Sequence, residues 1–229
     1  MTLLKKFIVL LIILLLTIGV LLTSKPIRKK LLNLPPFTLI IDLYNQSRPM
    51  LHFSNNQECL KSLQVTNIDF KSVANQSSDI GCTIDNGVKV GKIDHLTLNN
   101  SLIVTCSMAL ALQKFESELL QVLAMGYFNQ KVIGLNHMGS YNCRPMRGYK
   151  NLLSEHAFAN AVDIASFKLS SGEVISVKKH WRDAGVKSKF LRDLAKRSCR
   201  LFTAVLTPDF DRKHADHFHF DQGLISHCH

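Results

Sequence analysis

The chain has 229 residues, 46% hydrophobic and 20% charged, which is room for one ordinary globular domain with extensions. Six prolines, eleven glycines and the lack of an internal repeat exclude proline-rich rods, collagen-like chains and solenoids. The net charge is +11, but the first 30 residues hold six cations and no acid, which leaves +5 for the rest. That remainder suits an anionic polymer or acidic phospholipid. It is too weakly basic to indicate a nucleic-acid partner without a basic stripe interleaved with aromatic residues.

A long apolar segment follows the first two lysines. Phe7–Thr23 is an uninterrupted apolar run that extends about 25 Å as a helix, the short end of membrane-spanning lengths. The first alanine of the chain is Ala74, so no small-residue cleavage site follows the run, and we predict an uncleaved N-terminal transmembrane helix. Four basic residues follow the run and two precede it. By the positive-inside rule, this distribution would keep the residues after the run in the cytoplasm.

The cysteines indicate the compartment. Their number is even and no C-x-x-C pair occurs, which favours disulfides over a zinc knuckle or a redox motif. They are Cys59, Cys82, Cys106, Cys143, Cys199 and Cys228. Disulfides persist in oxidising compartments, so we expect a single-pass inner-membrane protein with its body in the periplasm. Six buried free thiols in a cytosolic protein are the alternative. Of the fifteen pairings, we favour Cys59 with Cys82.

The elements follow in chain order after an anchor at residues 1–24 and a proline-interrupted tether at 25–55. Helices are predicted at Gln57–Leu63, Ser107–Met125 and Ser188–Cys199, where apolar residues recur three and four positions apart. Strands are predicted at Val65–Phe70, Val88–Ile93, Lys131–Met138, Ala161–Leu169, Val174–Val177, Leu201–Leu206 and His217–Asp221. The order predicts an α+β domain over residues 56–229, with a small antiparallel sheet and flanking helices.

The histidine-rich end of the chain carries the first chemical pattern. On an extended strand, His217, His219 and Asp221 project from one face, while Phe218 and Phe220 project from the other. Imidazoles two residues apart are about 6.6 Å apart at Cα, close enough for one to hold a metal and the other to reach water bound to it. The strand can therefore anchor its phenylalanines in the core and present its histidines to a cleft.

The second pattern is the pair His156 and Asp163. Donors around a tetrahedral zinc lie roughly 3.3 Å apart, whereas seven residues span about 23 Å of strand or about 10 Å of helix. Both residues can bind one metal only if the chain doubles back, which the small residues between them allow. With His219 they would supply two imidazoles and one carboxylate and leave a fourth position for water, as in a catalytic zinc site. Solvated histidines without a metal are the alternative.

These two segments resemble a known zinc-binding pattern. Ser154–Asp163 (SEHAFANAVD), followed about fifty residues later by the HxxHxH pattern that begins at His214, is similar to the ligand motifs of the D-Ala-D-Ala metallopeptidase superfamily. The second half is most similar to the penicillin-insensitive murein endopeptidases. Ala159 stands where that superfamily usually has glycine, so we expect no wholly glycine-dependent backbone angle there.

The surrounding residues resemble one family more closely. Cys106–Leu112 (CSMALAL) and Gly139–Pro145 (GSYNCRP), together with the two motifs above, resemble the bacterial extensin-like C-terminal domain family over about residues 59–221. The family name suggests a hydroxyproline-rich wall rod, which six prolines exclude.

The resemblance implies one zinc bound by His156, Asp163 and His219. In related carboxypeptidases a glutamate handles the proton of the attacking water, and His217 stands in that place here as general base or as stabiliser of the oxyanion. The pKa of an unperturbed imidazole is close to working pH, which suits that role.

The resemblance also implies supporting residues. Arg144 would bind a substrate carboxylate through a two-pronged hydrogen bond. Ser154, His214 and Asp216 would surround the site and orient its imidazoles. The function implied is a membrane-anchored, zinc-dependent peptidase that hydrolyses peptide bonds of bacterial cell-wall peptidoglycan. A non-catalytic wall-binding module with a structural zinc is the alternative. The sequence leaves open D,D or L,D bond specificity, and endopeptidase or carboxypeptidase action.

Overall fold

The computed structural model describes residues 56–149 and 151–228. The predicted membrane helix at Phe7–Thr23 and the tether at 25–55 lie outside these residues. Among the helices that are described, none is long and apolar enough to cross a bilayer.

The helices agree with the periodicity of the sequence. The longer ones lie at α1 (Asn56–Gln64), α2 (Cys106–Lys114), α3 (Gln121–Phe128) and α5 (Val186–Ser198), and α4 (Val177–His180) is a single turn. A π-helical segment, Phe115–Leu120, joins α2 to α3, so the helix predicted at Ser107–Met125 is confirmed as one continuous helical stretch. Two 3₁₀ turns complete the set, at Glu155–Phe158 and Arg212–His214.

Nine of the strands form one sheet and two form a small hairpin. The strands are β1 (Ile68–Ser72), β2 (Gln76–Ser77), β3 (Thr83–Ile84), β4 (Gly87–Ile93), β5 (Leu96–Thr105), β6 (Val132–Gly139), β7 (Ala161–Leu169), β8 (Val174–Ser176), β9 (Ala204–Leu206), β10 (Phe218–Asp221) and β11 (His227–Cys228). The sheet order is β1-β4-β5-β6-β7-β10-β9-β11, with β8 paired to β7, while β2 and β3 pair separately. All pairs in the sheet are antiparallel except β5 with β6 and β9 with β11.

The α+β class is confirmed, but the prediction of a small antiparallel sheet is wrong. The largest omission is the ten-residue strand β5. Asn99, Asn100 and Ser101 in its middle are residues typical of turns, which hides the strand in the sequence. In the structure, β5 pairs with β4 on one side, and its Thr97 and Leu98 pair with β6 on the other. This strand joins the two halves of the sheet.

An aromatic core fills the space between the sheet and the helices. Phe115 of the π-helical segment packs edge-on against Phe220 of β10, with ring centroids 5.5 Å apart. Phe190 of α5 packs in the same way against Phe167 of β7 at 6.1 Å. All four side chains are fully buried. Burial of large aromatic side chains stabilises this face of the sheet.

A β-bulge in β7 changes which of its side chains point toward the core. Asn136 of β6 pairs with Ser166 and His137 with Ile164, so Ala165 is an extra residue on β7. The extra residue shifts the alternation of side chains. Ile164 and Phe167 both reach the core, while Asp163 shares its face with His219, its direct partner on β10.

Three disulfides are formed, which confirms the prediction that the cysteines form disulfides. The pairs are Cys59–Cys106, Cys82–Cys143 and Cys199–Cys228, and no described cysteine is free. The favoured pairing of Cys59 with Cys82 is therefore wrong. Cys59 lies on α1, which packs against the start of α2 and Cys106. These partners are set by packing between distant segments.

A second unit contains residues 145–149 and 151–153. Pro145 and Leu153 form an isolated antiparallel bridge. The N–H of Met146 donates to the carbonyl of Leu152 at 2.7 Å, and the N–H of Tyr149 donates to the carbonyl of Met146 at 3.0 Å. These bonds close a compact turn.

Candidate metal centre

The turn between His156 and Asp163 doubles back, as the sequence requires for a shared site. Ser154 caps the 3₁₀ turn Glu155–Phe158, and its hydroxyl accepts a hydrogen bond from the backbone N–H of His156 at 3.4 Å. Ala159 ends the turn at φ 54° and ψ 28°, in the left-handed region. Strand β7 then begins at Ala161 and returns the chain to the same site.

Ala159 adopts a left-handed angle that favours glycine but is not restricted to it, so the angle is not wholly glycine-dependent. Its backbone angle is one that normally favours glycine, and a residue with a Cβ adopts it only when the surroundings hold it there. The N–H of Thr105 donates to the carbonyl of Ala159 at 2.7 Å, and the N–H of Ala159 donates to the carbonyl of His156 at 3.2 Å. The end of β5 therefore stabilises the bend that brings the ligands together.

Asn160 connects this bend to three other segments. Its buried amide Nδ2 donates to the Glu155 carboxylate at 3.0 Å, and its Oδ1 accepts from the Thr105 hydroxyl at 3.3 Å. Its backbone carbonyl accepts from the N–H of Gln222 at 3.1 Å. The buried amide of Asn160 therefore has a hydrogen-bond partner for both its Nδ2 and its Oδ1, as buried polar groups require.

Three donor atoms meet at the site. His156 Nε2 lies 3.2 Å from Asp163 Oδ1 and 3.1 Å from His219 Nδ1, and the latter two atoms are 3.0 Å apart. These three distances are close to the separation of roughly 3.3 Å between donor atoms around a tetrahedral zinc. The same three residues are the group in the described chain that could hold a metal ion. The structure thus brings together the three ligands named from the sequence.

The remaining ring nitrogens orient both imidazoles. His156 Nδ1 contacts the backbone carbonyl of Ser140, which can only accept, so Nδ1 carries the proton and Nε2 presents its lone pair to the other donors. His219 Nε2 donates to Asp221 Oδ2 at 3.0 Å, which leaves Nδ1 for the cluster. Metal-binding histidines usually donate their other N–H to a carbonyl or carboxylate in this way. The donor set therefore could hold a metal ion.

Two residues that position the ligands were given no role from the sequence, although Asp221 was placed on the same face as His219. Asp221 is buried, and its Oδ1 accepts from the N–H of Gly223 at 2.8 Å while its Oδ2 accepts from His219. Its place two residues after His219 on a strand was the signal that could have identified it. Ser140 acts through its backbone carbonyl, for which no side-chain signal exists.

Burial and mutual hydrogen bonds shift the pKa values of two ligands. Burial alone would raise the pKa of Asp163, but the bonds and charges of His156 and His219 outweigh it and hold that pKa well below 3.8. Burial alone would lower the pKa of His219, but Asp163 and Asp221 raise it from 6.5 to about 9. Without a metal, a proton on His219 balances the carboxylates. A metal would displace that proton, as binding by imidazole requires.

His217 borders the cluster without belonging to it. Its Nδ1 donates to Asp216 Oδ1 at 2.9 Å, and its Nε2 lies 3.6 Å from Asp163 Oδ1. The ring is largely buried, at 8% exposure of the residue. Since Asp216 holds the Nδ1 proton, Nε2 of the neutral ring is left to accept a proton at the edge of the site.

The other candidates occupy different positions. Ser154 contacts the backbone of His156 through its hydroxyl, so it supports the residue that carries one of the imidazoles. His214 donates from Nδ1 to Asp211 Oδ1 at 2.7 Å, and its ring packs 5.3 Å from that of His217. Burial lowers the pKa of His214 despite its bond to Asp211.

Arg144 is close to the site through its backbone. Its carbonyl accepts from the N–H of Ser154 at 3.2 Å, and the N–H of Asn142 donates to the carbonyl of His156 at 3.0 Å. The disulfide of neighbouring Cys143 secures this loop. The loop therefore runs beside the turn that carries the first ligand.

The comparison with known families gives one match. The family described as "Extensin-like protein C-terminus" matches residues 57–229, which is most of the chain and includes every residue of the site. Neither the curated proteins nor the solved structures contain a chain that matches it.

Proposed function

The chain belongs to the extensin-like protein C-terminus family, and from that premise and the metal centre we propose that it is a zinc-dependent peptidase. Its proposed substrates are peptide bonds of bacterial cell-wall peptidoglycan. The family description names no activity, so the proposal is supported by the site and by the motif similarity to the D-Ala-D-Ala metallopeptidases. Attachment to the inner membrane and a periplasmic body are part of the same proposal.

The observation that carries the proposal is an incomplete donor set beside an oriented histidine. Structural zinc sites are usually closed by four protein ligands, whereas catalytic sites have three and an open position. His156, Asp163 and His219 form a group of three among the described residues. His217 stands next to this group, with its Nδ1 held by Asp216 and its Nε2 3.6 Å from Asp163. This arrangement favours catalysis over a purely structural ion.

The residues of the chain divide the chemistry between them. His156, Asp163 and His219 would hold zinc, which when bound lowers the pKa of a water molecule and polarises a carbonyl group. His217 Nε2 would accept the proton of the attacking water and return it to the leaving amine. The Asp216 carboxylate would keep the ring in the required tautomer and stabilise the imidazolium that forms.

Arg144 would bind a carboxylate of the substrate. Cell-wall stem peptides carry carboxylates, which a guanidinium binds through two parallel hydrogen bonds. The loop that bears Arg144 runs beside the ligand-bearing turn. A peptide bound there would lie beside the turn that carries His156.

Metal analysis of the full chain in detergent tests the ligand set. We expect close to one zinc per chain, lost in His156→Ala and in Asp163→Ala. His95→Ala is the matched control, because that exposed histidine contacts Asp94 and not the site. Full zinc content in both ligand variants would refute the assignment.

Digestion of purified wall sacculi, with products identified by mass, tests catalysis. We expect His217→Ala to keep its zinc and melting temperature but to release muropeptides about 10²–10⁴-fold more slowly, the usual contribution of a positioned acid or base. Asp216→Asn should show a smaller loss with the same zinc content. If His217→Ala cleaves at the normal rate, or if the zinc-loaded parent protein binds sacculi without cleaving them, a wall-binding module replaces the peptidase.

A further inference from the structure

Positive charge is concentrated in one part of the chain. Residues 177–200 contain nine of the 28 lysines and arginines but only two acids, Asp183 and Asp193. This excess is larger than the net charge of +5 that remains beyond the first 30 residues. The rest of the domain is therefore close to neutral or slightly acidic, and its basic character comes from α4, α5 and the residues that follow.

Helix α5 presents part of this charge on its outer face. Its inner face is buried in the aromatic core through Phe190, Leu191 and Leu194. Lys189 and Lys196 lie on the opposite face, and Arg200 follows one turn later. All three are exposed, and within the described residues no carboxylate lies within ion-pair distance of them. We name these three residues the basic face.

Three other cations of the region are paired, whereas Lys178, Lys179 and Arg197 are exposed like the basic face. Lys187 contacts Glu173 at 2.6 Å, and Arg192 contacts Asp209 at 3.0 Å. Arg182 also contacts Asp209, at 3.7 Å. The carboxylates of Glu173 and Asp209 thus pair with residues on the flank of the basic face and leave its charge uncompensated.

Exposed apolar side chains occur on the neighbouring helix. On α3, Val122 is 62% exposed and Met125 is 44% exposed. The end of α3 is attached to α5 by the Tyr127 hydroxyl, which donates to Asp193 at 2.7 Å, and by Phe128, whose ring is 5.1 Å from that of Phe190. Apolar side chains beside lysines and arginines are typical of surfaces that contact the headgroup region of a bilayer.

The helix layer and the metal centre lie on opposite faces of the sheet. On β10, Phe218 and Phe220 point toward the helices, and His219 between them points away. A surface in contact with the outer side of α5 would therefore leave the metal centre accessible from the other side. Contact at the basic face does not block the site.

The sequence outside the described residues favours a lipid as the occupant. The predicted membrane segment ends at Thr23, and 32 residues separate it from α1 at Asn56. Extended, that length spans about 100 Å, so it permits the basic face to reach the bilayer that holds the segment. A tethered domain binds at a high effective concentration, so a few cations suffice.

We propose that the basic face, with Val122 and Met125, docks onto an anionic phospholipid surface. The lysines and arginine attract the lipid phosphates, and the apolar side chains enter the headgroup region. The domain then lies on the membrane with its metal centre turned toward the periplasm. This docking rests on the membrane attachment included in the proposed function, but it requires neither hydrolysis nor a bound metal, so its test is separate from the tests of zinc binding and catalysis.

The test uses the full chain in nanodiscs of phosphatidylcholine, with or without phosphatidylglycerol. Amine acetylation and methionine oxidation are followed by mass spectrometry. We expect acetylation of Lys189 and Lys196, and oxidation of Met125, to slow at least about threefold in the anionic discs, and the difference to vanish in high salt. Exposed Lys71 and Lys89 on β1 and β4, and exposed Met138 on β6, are the internal controls and should not change.

Charge-reversal variants complete the test. Lys189→Glu/Lys196→Glu should lose the protection of Met125, whereas Lys71→Glu/Lys89→Glu, which changes the charge by the same amount, should keep it. Circular dichroism establishes that both variants are folded. Equal protection in neutral and anionic discs would overturn the proposal. So would protection in neutral discs by an added oligonucleotide or by wall fragments, because either would identify a different partner.

Discussion

The two faces of the β7–β10 pair differ in the interactions that hold their side chains: apolar packing on one face and hydrogen bonds on the other. On the helix side, Phe167, Phe218 and Phe220 are fully buried among other apolar side chains. On the opposite side, Asp163, His219 and Asp221 are linked by hydrogen bonds of about 3 Å. An apolar contact can be lost with a cost that follows the volume removed. A buried polar group that loses its partner is left unsatisfied, and the rest of the network is affected.

We expect this difference to separate stability from metal binding along a single strand. Neighbouring residues of β10 alternate between the two faces, so changes one residue apart should affect different properties. Core changes should lower the free energy of unfolding and leave the ligand geometry intact. Changes on the polar face should alter metal affinity more than stability.

The largest expected effect comes from Phe220→Ala. The ring contacts those of Phe115, Phe202 and Phe218, and its removal should lower the free energy of unfolding by about 3–5 kcal/mol. Chemical denaturation measures the loss. Zinc content per folded molecule should stay close to that of the parent. A loss below about 1 kcal/mol, or a folded variant without zinc, would contradict the separation of the two faces.

Asp221→Asn should weaken metal binding by about 10–100-fold, the usual effect of changing a residue that supports a ligand. Both carboxylate oxygens accept hydrogen bonds, from His219 and from Gly223, so an amide would place its NH₂ against a donor. Competition with a metal chelator measures the affinity. Asp216→Asn is the matched control, because Asp216 holds His217 and no ligand. Equal affinity in both variants would show that Asp221 does not position His219.

The pKa shifts predict a pH dependence of the metal-free protein. The pKa of His219 is raised from 6.5 to about 9 in the folded state, so its contribution to stability is complete below pH 6.5 and is lost as the pH rises through 9. The pKa of Asp163 is lowered from 3.8, so its contribution is present above 3.8 and is lost as the pH falls. The melting temperature of chelated protein should therefore fall between pH 6.5 and 9.

The zinc-loaded protein is the control for the fall in melting temperature with pH. Its ligands carry no exchangeable proton on the atoms that face the metal, so its melting temperature should change much less over the same range. Thermal denaturation with and without a chelator measures both curves. Parallel curves would show that the proton on His219 and the metal do not compete.

The smallest expected effect is at Glu116, a buried carboxylate on the helix side. Its Oε1 accepts from Gln121 at 2.9 Å, and its Oε2 is buried with no hydrogen bond within the described residues. Burial raises the pKa of Glu116 above 4.5, so stability is greatest below that pH and falls as the pH rises through the higher folded value. Glu116→Gln should raise the melting temperature by a few degrees at pH 8 and by little at pH 4. An unchanged or lower value at pH 8 would contradict this.

Much of the fold could be predicted because it depends on local patterns. The spacing of Phe190, Leu191 and Leu194 predicted α5, and the strand signals at Ala161–Leu169 predicted β7 with the same bounds as the structure. Strand β5 could not be found this way, since its polar middle has no strand pattern and is held by pairing with β4 and β6. Long-range pairing of this kind leaves little trace in a short window of sequence.

The sequence by itself determined which chemistry the site can support. Two histidines and an aspartate supply the donors, and the alternation of β10 separates them from the core. Only the tertiary structure decided that the donors meet, because their distances depend on the left-handed Ala159, the pairing of β7 with β10 and the carbonyl of Ser140. Each of these is a backbone feature held by contacts with residues remote in the chain. Residue type records what a side chain can bind, whereas its position relative to others follows from packing of the whole domain.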